Sequence, residues 1–311
     1  MRKIQDKKAP RYFKIKREEK MRILKLTGTA STGRSFFAGL IVFFLAMLCA
    51  PQVSACRFWC AVSEKAVSPE VLDSQLLNMP RSLKSLGEEY SDGWSVGYYF
   101  GTYPVIARGI SSAYDDGAFD KAVLRASEVA PKLVVAHIRK ASSGCSGYIP
   151  NPHPFERKYN GKSWLFGHNG TIAKDVLMAL IGDTLEVMKP TACTSNPPDS
   201  WIDSELFFIF LLKEINQHKG DVKAGIRAGI QKLSDALGEQ NKEFNFFLTD
   251  GETLWVFRYG LDLYFSFNEE QQLWMIASIP PSEDREGWEA FNDGDLMILR
   301  PDAKPEVINM Q

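Results

Sequence analysis

Past residue 55, apolar positions fall mostly into short runs with the two-residue period of strands, interrupted by a central block with helical spacing. Cys56–Ser63, Trp94–Phe100, Val105–Gly109 and Leu133–Ile138 are rich in β-branched and aromatic residues and predict strands. The second and third read as a hairpin around Gly101 to Pro104. Phe119–Ala130 carries apolar residues at helical spacing and stops at Pro131. A loop rich in Gly, Ser and Pro then extends from the end of Leu133–Ile138 to about Lys162. Trp164–Phe166 leads into His168-Asn169-Gly170, where Asn-Gly predicts a turn with positive φ. Ser204–Gln217 and Val222–Leu237 read as helices, with Asp203 and Asp221 as N-caps. Strands resume at Phe244–Leu248, at Thr253–Tyr259 after an Asp250-Gly251 turn, and at Leu263–Asn268, Leu273–Ser278 and Asp295–Leu299. Strands at both ends with helices between predict an α+β fold of two mainly antiparallel sheets layered with helices. The pattern alone does not choose among α+β arrangements.

Residues 1–55 differ in kind. They hold 12 Lys/Arg against 3 Asp/Glu, leaving 25 against 35 in the remaining 256 residues. The total charge of −1 therefore hides a basic leader on an acidic body. Phe36 to Ala50 is an uninterrupted apolar block, followed by Pro51 and then Val53-Ser54-Ala55. This is the pattern of a secretory signal peptide cut after Ala55, with Met21 as an alternative start. The block of 15 residues is shorter than a membrane span of ~20. No charge lies between Arg34 and Arg57, however, so an uncleaved, tilted anchor is an alternative. Val53-Ser54-Ala55-Cys56 also satisfies a loose lipobox, in which Cys56 would be acylated and tether the protein to a membrane. Gly28–Ser35 has phosphate-loop spacing with Arg34 in place of lysine, but it lies inside the leader with no strand before it. The expected organisation is a signal peptide over 1–55 and one domain over 56–311, in an exported (periplasmic or secreted) protein with no nucleic-acid partner.

Aromatic residues at 12% and charged residues at 24% describe a folded chain, and 256 residues suffice for a substantial core. Past the leader stand Cys56, Cys60, Cys145 and Cys193. Cys145 and Cys193, both in Gly/Ser/Pro-rich stretches, are the expected pair if any is oxidised. Cys56 and Cys60 lie ~13 Å apart on one strand, too far for a disulfide.

Cleavage after Ala55 would leave Cys56 at the N-terminus, a nucleophile and an α-amino base on one residue. That amine has a reference pKa of ~7.7–8.0, so a useful fraction is neutral near pH 7. An Asn amide and a Gly N–H, as at Asn169 and Gly170, suit a developing oxyanion. The fork of Arg139 suits a carboxylate, and Asp203 suits an ammonium group. Taken singly each has a blander reading: a turn, a paired arginine, a helix cap. His137, His153 and His168, with Cys145 nearby, match no zinc spacing, and neither metal nor cofactor is expected.

Six motifs occur in order: Cys56-Arg57-Phe58, Asp92-Gly93-Trp94-Ser95-Val96-Gly97-Tyr98, Ala136-His137-Ile138-Arg139-Lys140-Ala141, His153-Pro154-Phe155, Phe166-Gly167-His168-Asn169-Gly170 and Asp203-Ser204-Glu205. Together the set resembles the class II glutamine amidotransferase family, in its short stand-alone branch, over about residues 56–300. Ala277-Ser278 and Gly294-Asp295-Leu296 fit the end of the same domain. The resemblance implies the four-layer αββα sandwich of N-terminal-nucleophile hydrolases and a small-molecule substrate with a γ-glutamyl amide. It implies Cys56 as nucleophile, Asn169 and Gly170 as oxyanion hole, and Arg139 and Asp203 as clamps for the α-carboxylate and α-ammonium; His168 joins the substrate-binding positions. Ser95, Ser142 and Ile202 depart from the residues usual in the family, and none removes a catalytic group. Usual members are cytosolic, so the leader is the larger departure, and no ammonia-accepting partner is evident. Plain hydrolysis of glutamine or another γ-glutamyl compound is therefore the expected reaction. The alternatives are an amidase of different acyl specificity and a lipid-anchored binding module.

Overall fold

The computed structural model describes residues 56–141, 148, 152–192, 194, 197–238 and 243–310. The leader and the expected Cys145–Cys193 pair lie outside the described residues. Cys56 and Cys60 are both free thiols. Among the described residues, no helix is long and apolar enough to cross a membrane.

Two antiparallel sheets carry the domain. The seven-stranded sheet runs in the order β11-β9-β10-β1-β4-β2-β3. Its strands are β1 (Arg57–Ser63), β2 (Trp94–Phe100), β3 (Tyr103–Gly109), β4 (Leu133–Ile138), β9 (Tyr264–Asn268), β10 (Leu273–Ala277) and β11 (Glu289–Ala290). The six-stranded sheet runs β13-β12-β8-β7-β6-β5. It comprises β5 (Phe155–Tyr159), β6 (Lys162–Thr171), β7 (Glu243–Thr249), β8 (Leu254–Phe257), β12 (Asp295–Leu299) and β13 (Glu306–Asn309). Four longer helices, α1 (Gly117–Val129), α2 (Lys174–Ile181), α3 (Asp203–Gln217) and α4 (Val222–Leu237), are joined by shorter helical turns.

Strand alternation sorts the side chains into layers. Trp59 and Ala61 of β1, Val134, Ala136 and Ile138 of β4, and Trp94, Val96 and Tyr98 of β2 face Phe119, Ala122, Val123 and Ala126 of α1. Those four recur at the three- and four-residue spacing of one helix face. Asp116 caps α1 by accepting from the Ala118 N–H at 2.9 Å, and also accepts from Trp94 Nε1 at 2.9 Å. Cap and strand are thereby tied together. Across the other sheet, Phe166, Phe244, Phe246 and Phe257 pack on Phe207, Phe208 and neighbouring residues of α3, which α2 and α4 cover. The opposite strand faces meet each other: Phe58 packs edge-on against Phe247 with centroids 5.3 Å apart. A Cβ on Gly167 would lie 2.2 Å from the Phe247 ring, so glycine there makes room for this contact between sheets. The result is the αββα sandwich that the family resemblance implies.

Several boundaries match expectation to the residue, among them β2, β4, β12 and α4. Other features differ, among them the following. The loop expected up to Lys162 contains β5, an edge strand whose charged run Glu156, Arg157, Lys158 masks its strand character. Helix α2 was not foreseen in the segment before Pro190. Asn169-Gly170 is not a turn: β6 continues to Thr171, pairing Asn169 with Asn245 and Gly170 with Phe244. Gly170 does take a φ of +135°, and a Cβ there would sit 1.8 Å from the Glu243 carbonyl oxygen. Asp203 is the first residue of α3 rather than its cap; Ile202 holds the cap position without a side-chain bond.

Phe207 joins four of the sandwich's aromatic contacts, to Phe166, His168, Phe244 and Phe246. Phe207→Ala is expected to cost about 3–5 kcal/mol, read as a lower denaturant midpoint at unchanged slope.

Candidate active site

The site lies where β1 begins and β4, β6 and β10 end or pass. Cys56 directly precedes β1 and is half-buried. Register pairs Arg57 with Ile138, which brings the residues after β4 alongside Cys56. The Lys140 N–H points at Cys56 Sγ from 3.4 Å, and Sγ lies 3.5 Å from the Lys140 carbonyl oxygen. Arg57 donates to the Cys56 carbonyl at 3.1 Å while its guanidinium stacks 4.7 Å over the Tyr90 ring. Burial pushes the Cys56 thiol up; the Lys140 N–H and the charges of Arg139 and Arg57 oppose this, and Asp203 reinforces it. The thiol is thus held protonated in the absence of a base.

Arg139 is buried, with its backbone clasped on both sides. Its N–H donates to the Gly93 carbonyl at 2.8 Å and its own carbonyl accepts from the Asp92 N–H at 3.0 Å. The Asp92 carboxylate then accepts from the Ala141 N–H at 2.8 Å. Desolvation lowers the Arg139 pKa, against the pull of Cys56, Asp92 and Asp203. Asp203 is also buried, and its carboxylate accepts from the Ile172 N–H at 3.0 Å, just past the end of β6. The Cys56 thiol thus feels Arg139 and Asp203 with opposite sign.

Asn169 lies on β6 with Gly167 and Leu165, on the face turned toward the other sheet. Its Nδ2 donates to Ser278 Oγ at 2.7 Å, and that oxygen also accepts from the Phe58 N–H at 3.1 Å. The Asn169 Oδ1 atom is buried without a hydrogen-bond partner. The motif order places Ser278 only at the end of the domain; a serine ending an apolar strand carries no mark of this bridging role. His168, one residue earlier, points the other way, toward the helical layer. Its Nδ1 lies 2.9 Å from Ser204 Oγ and its ring stands edge-on to Phe207. Burial depresses its pKa to about 4, with Asp203 and the Glu243 backbone opposing.

His137 and His153 are buried between the sheets, with ring centroids 4.3 Å apart. Burial, with the charges of Arg139 and His168, lowers His137 to about 3. The His168 backbone and the Asn169 side chain lie near enough to oppose that shift, yet neither ring nitrogen makes a hydrogen bond of ordinary geometry. His153 is lowered well below the usual histidine value, by burial first and then by the charges of His137, His168, Arg139 and Arg108. Its ring nitrogens are likewise unpartnered. Its carbonyl accepts from Ser95 Oγ, which accounts for a hydroxyl at a position where glycine is usual.

A thiol, an asparagine amide and two oppositely charged side chains thus gather at one end of an αββα sandwich. The family model described as glutamine amidotransferases class-II matches residues 79–265, and the chain belongs to that family. An uncharacterised protein of Methanocaldococcus jannaschii is 26% identical over 248 residues, covering 70% of this chain and 64% of its own. A Haemophilus influenzae protein with the provisional name glutamine amidotransferase is 29% identical over 174 residues, covering 55% and 53%. The chain thus spans about half to two thirds of the length of these relatives. In fold it is similar to the glutamine phosphoribosylpyrophosphate amidotransferase of B. subtilis. That match has a TM-score of 0.56 and 16% identity, covering 82% of this chain and 49% of the other. It is also similar to a class-II domain protein from Silicibacter pomeroyi, with a TM-score of 0.53 and 18% identity, covering 82% and 99%.

Ser278→Ala leaves the Phe58 N–H and Asn169 Nδ2 without their shared acceptor, at a cost of about 1–3 kcal/mol. In a double-mutant cycle with Asn169→Ala, followed by denaturant unfolding, the two losses should sum to more than the double variant loses.

Proposed function

We propose that the protein is an exported amidohydrolase that becomes active when cleavage after Ala55 frees the Cys56 amine. Its substrate is glutamine or another small γ-glutamyl amide. The α-amino group takes the thiol proton, and the thiolate attacks the side-chain carbonyl carbon. The Asn169 amide and the Gly170 N–H hold the oxyanion that forms. Collapse expels ammonia or an amine, which leaves with the proton from the Cys56 ammonium, and a γ-glutamyl thioester remains. Water, deprotonated by the same amine, adds to the thioester; glutamate leaves and the thiol is restored.

The observation that carries this reading is the charge arrangement around the thiol. Arg139 and Asp203 both act on it from buried positions with opposite sign. An α-carboxylate and an α-ammonium group on one small molecule match that pair, and a neutral amide does not. The raised thiol pKa adds a second support. A buried thiol needs a base at hand, and the reading supplies one on the same residue. Hydrolysis without transfer follows from the export signal, since ammonia released outside the cytosol meets no evident acceptor.

Intact-mass measurement of the protein from a secreting host should give a chain beginning at Cys56 with neither fatty chains nor leader. That chain should release glutamate from glutamine or from a γ-glutamyl amide panel. A retained leader, an acylated cysteine, or no glutamate from any member would overturn the proposal. Asn169→Ala should lower kcat by about 10²–10³-fold. Arg139→Lys should raise KM for glutamine by about tenfold or more, and should spare an amide that lacks the α-carboxylate.

A further inference from the structure

We infer that Cys56, His137 and His153 form a binding site for a divalent ion of the zinc class, and that metal capture there reversibly silences the nucleophile. One donor atom from each side chain, the thiol sulfur and a ring nitrogen of each histidine, lies within 4.8 Å of the other two. Zinc bound at its usual 2.0–2.3 Å separates its tetrahedral ligands by roughly 3.3–3.8 Å, so side-chain adjustments of about an ångström close the set. One thiolate with two imidazoles is a donor set of suitable softness for that ion.

The second observation is what these histidines lack. Both are almost wholly buried, at 0% and 3% exposure; the ring nitrogens of His153 are unpartnered, and His137, near the His168 backbone and the Asn169 side chain, makes no hydrogen bond of ordinary geometry. A buried polar atom without a good partner opposes folding, so two such rings against one thiol call for a ligand. The amide chemistry proposed above uses neither ring. His137 comes from β4 and His153 from the segment before β5, while Cys56 precedes β1. No linear zinc spacing unites residues so scattered, and only the sandwich brings them together.

Binding replaces the S–H bond by an S–metal bond and releases one proton to solvent for each ion taken up. The sulfur lone pair is then committed and cannot attack a carbonyl. In a chain cut after Ala55 the α-amino nitrogen of Cys56 would add a fourth donor, closing a five-membered ring with Sγ. That addition rests on the proposed processing; the three-side-chain site does not.

The test uses protein expressed from the full 311-residue chain and purified as the host processes it. Titration with Co²⁺ alone under reducing conditions should produce a thiolate-to-cobalt charge-transfer band that saturates at one ion per chain and disappears when Zn²⁺ is added. Cys56→Ser should abolish the band. His137→Asn and His153→Asn should each weaken Co²⁺ binding by at least about 10–100-fold, the cost of losing even an outer-shell partner. Each variant is first matched to the parent by circular dichroism and melting temperature, so either histidine variant serves if the other does not fold. Absence of the band, or a band unchanged in a folded histidine variant, overturns the site. Glutamate release without any cobalt band sinks the metal site alone. A normal cobalt band on protein that releases no glutamate sinks the amidase reading alone. Where both hold, micromolar Zn²⁺ should inhibit glutamate release and chelation should restore it.

Discussion

One hydroxyl bridges the two sheets beside Cys56 and Asn169. Ser278 Oγ accepts from the Phe58 backbone on one sheet and from the Asn169 side chain on the other. Two sheets packed by apolar side chains alone have few preferred offsets, because dispersion and hydrophobic burial are non-directional. A directional contact buried between them selects one offset. This contact ties Asn169 to the start of β1, and the position of Cys56 relative to the Asn169 amide follows from it.

That precision requires stiff surroundings. Behind β6 and β7, rings from Phe166, Phe207, Phe208, Phe244, Phe246 and Phe257 interlock in stacked and edge-on pairs. On the opposite side α1 is pinned through Asp116 to Trp94. Between these apolar blocks lie Ser95, His137, His153 and Asn169, all buried. Polar groups in such a layer oppose folding unless they are satisfied or put to use. Ser95 is satisfied by the His153 carbonyl, whereas the imidazoles are not. The hydrophobic work of the flanking cores thus sustains a polar seam between the sheets.

How much was legible in the sequence depended on the range of the interaction. Trp94–Phe100, Leu133–Ile138, Val222–Leu237 and Asp295–Leu299 were readable to the residue, because periodicity, Pro131 and the Asp221 cap act locally. β5 was hidden because three consecutive charged residues, Glu156, Arg157 and Lys158, fill its middle and leave no apolar alternation to read. Asn169-Gly170 carried a turn signal that tertiary pairing overrode; the glycine is needed for the Glu243 carbonyl pressed against it, not to reverse the chain. The family was legible through the order of its motifs, which reflects chemistry rather than packing. Ser278, the unpartnered histidines and the clasp of Asp92 and Gly93 on Arg139 arise from strands far apart in sequence, and no local rule anticipates them.

The described sheets also end in a common way. β11 has two residues and β13 four; β3 carries Pro104, which has no N–H to offer; and β5 presents Glu156 and Lys158 to solvent. Short, proline-bearing or charged margins give an incoming strand little to pair with. A sandwich built from thirteen strands therefore resists joining its neighbours edge to edge into fibrils, even where the chain is crowded.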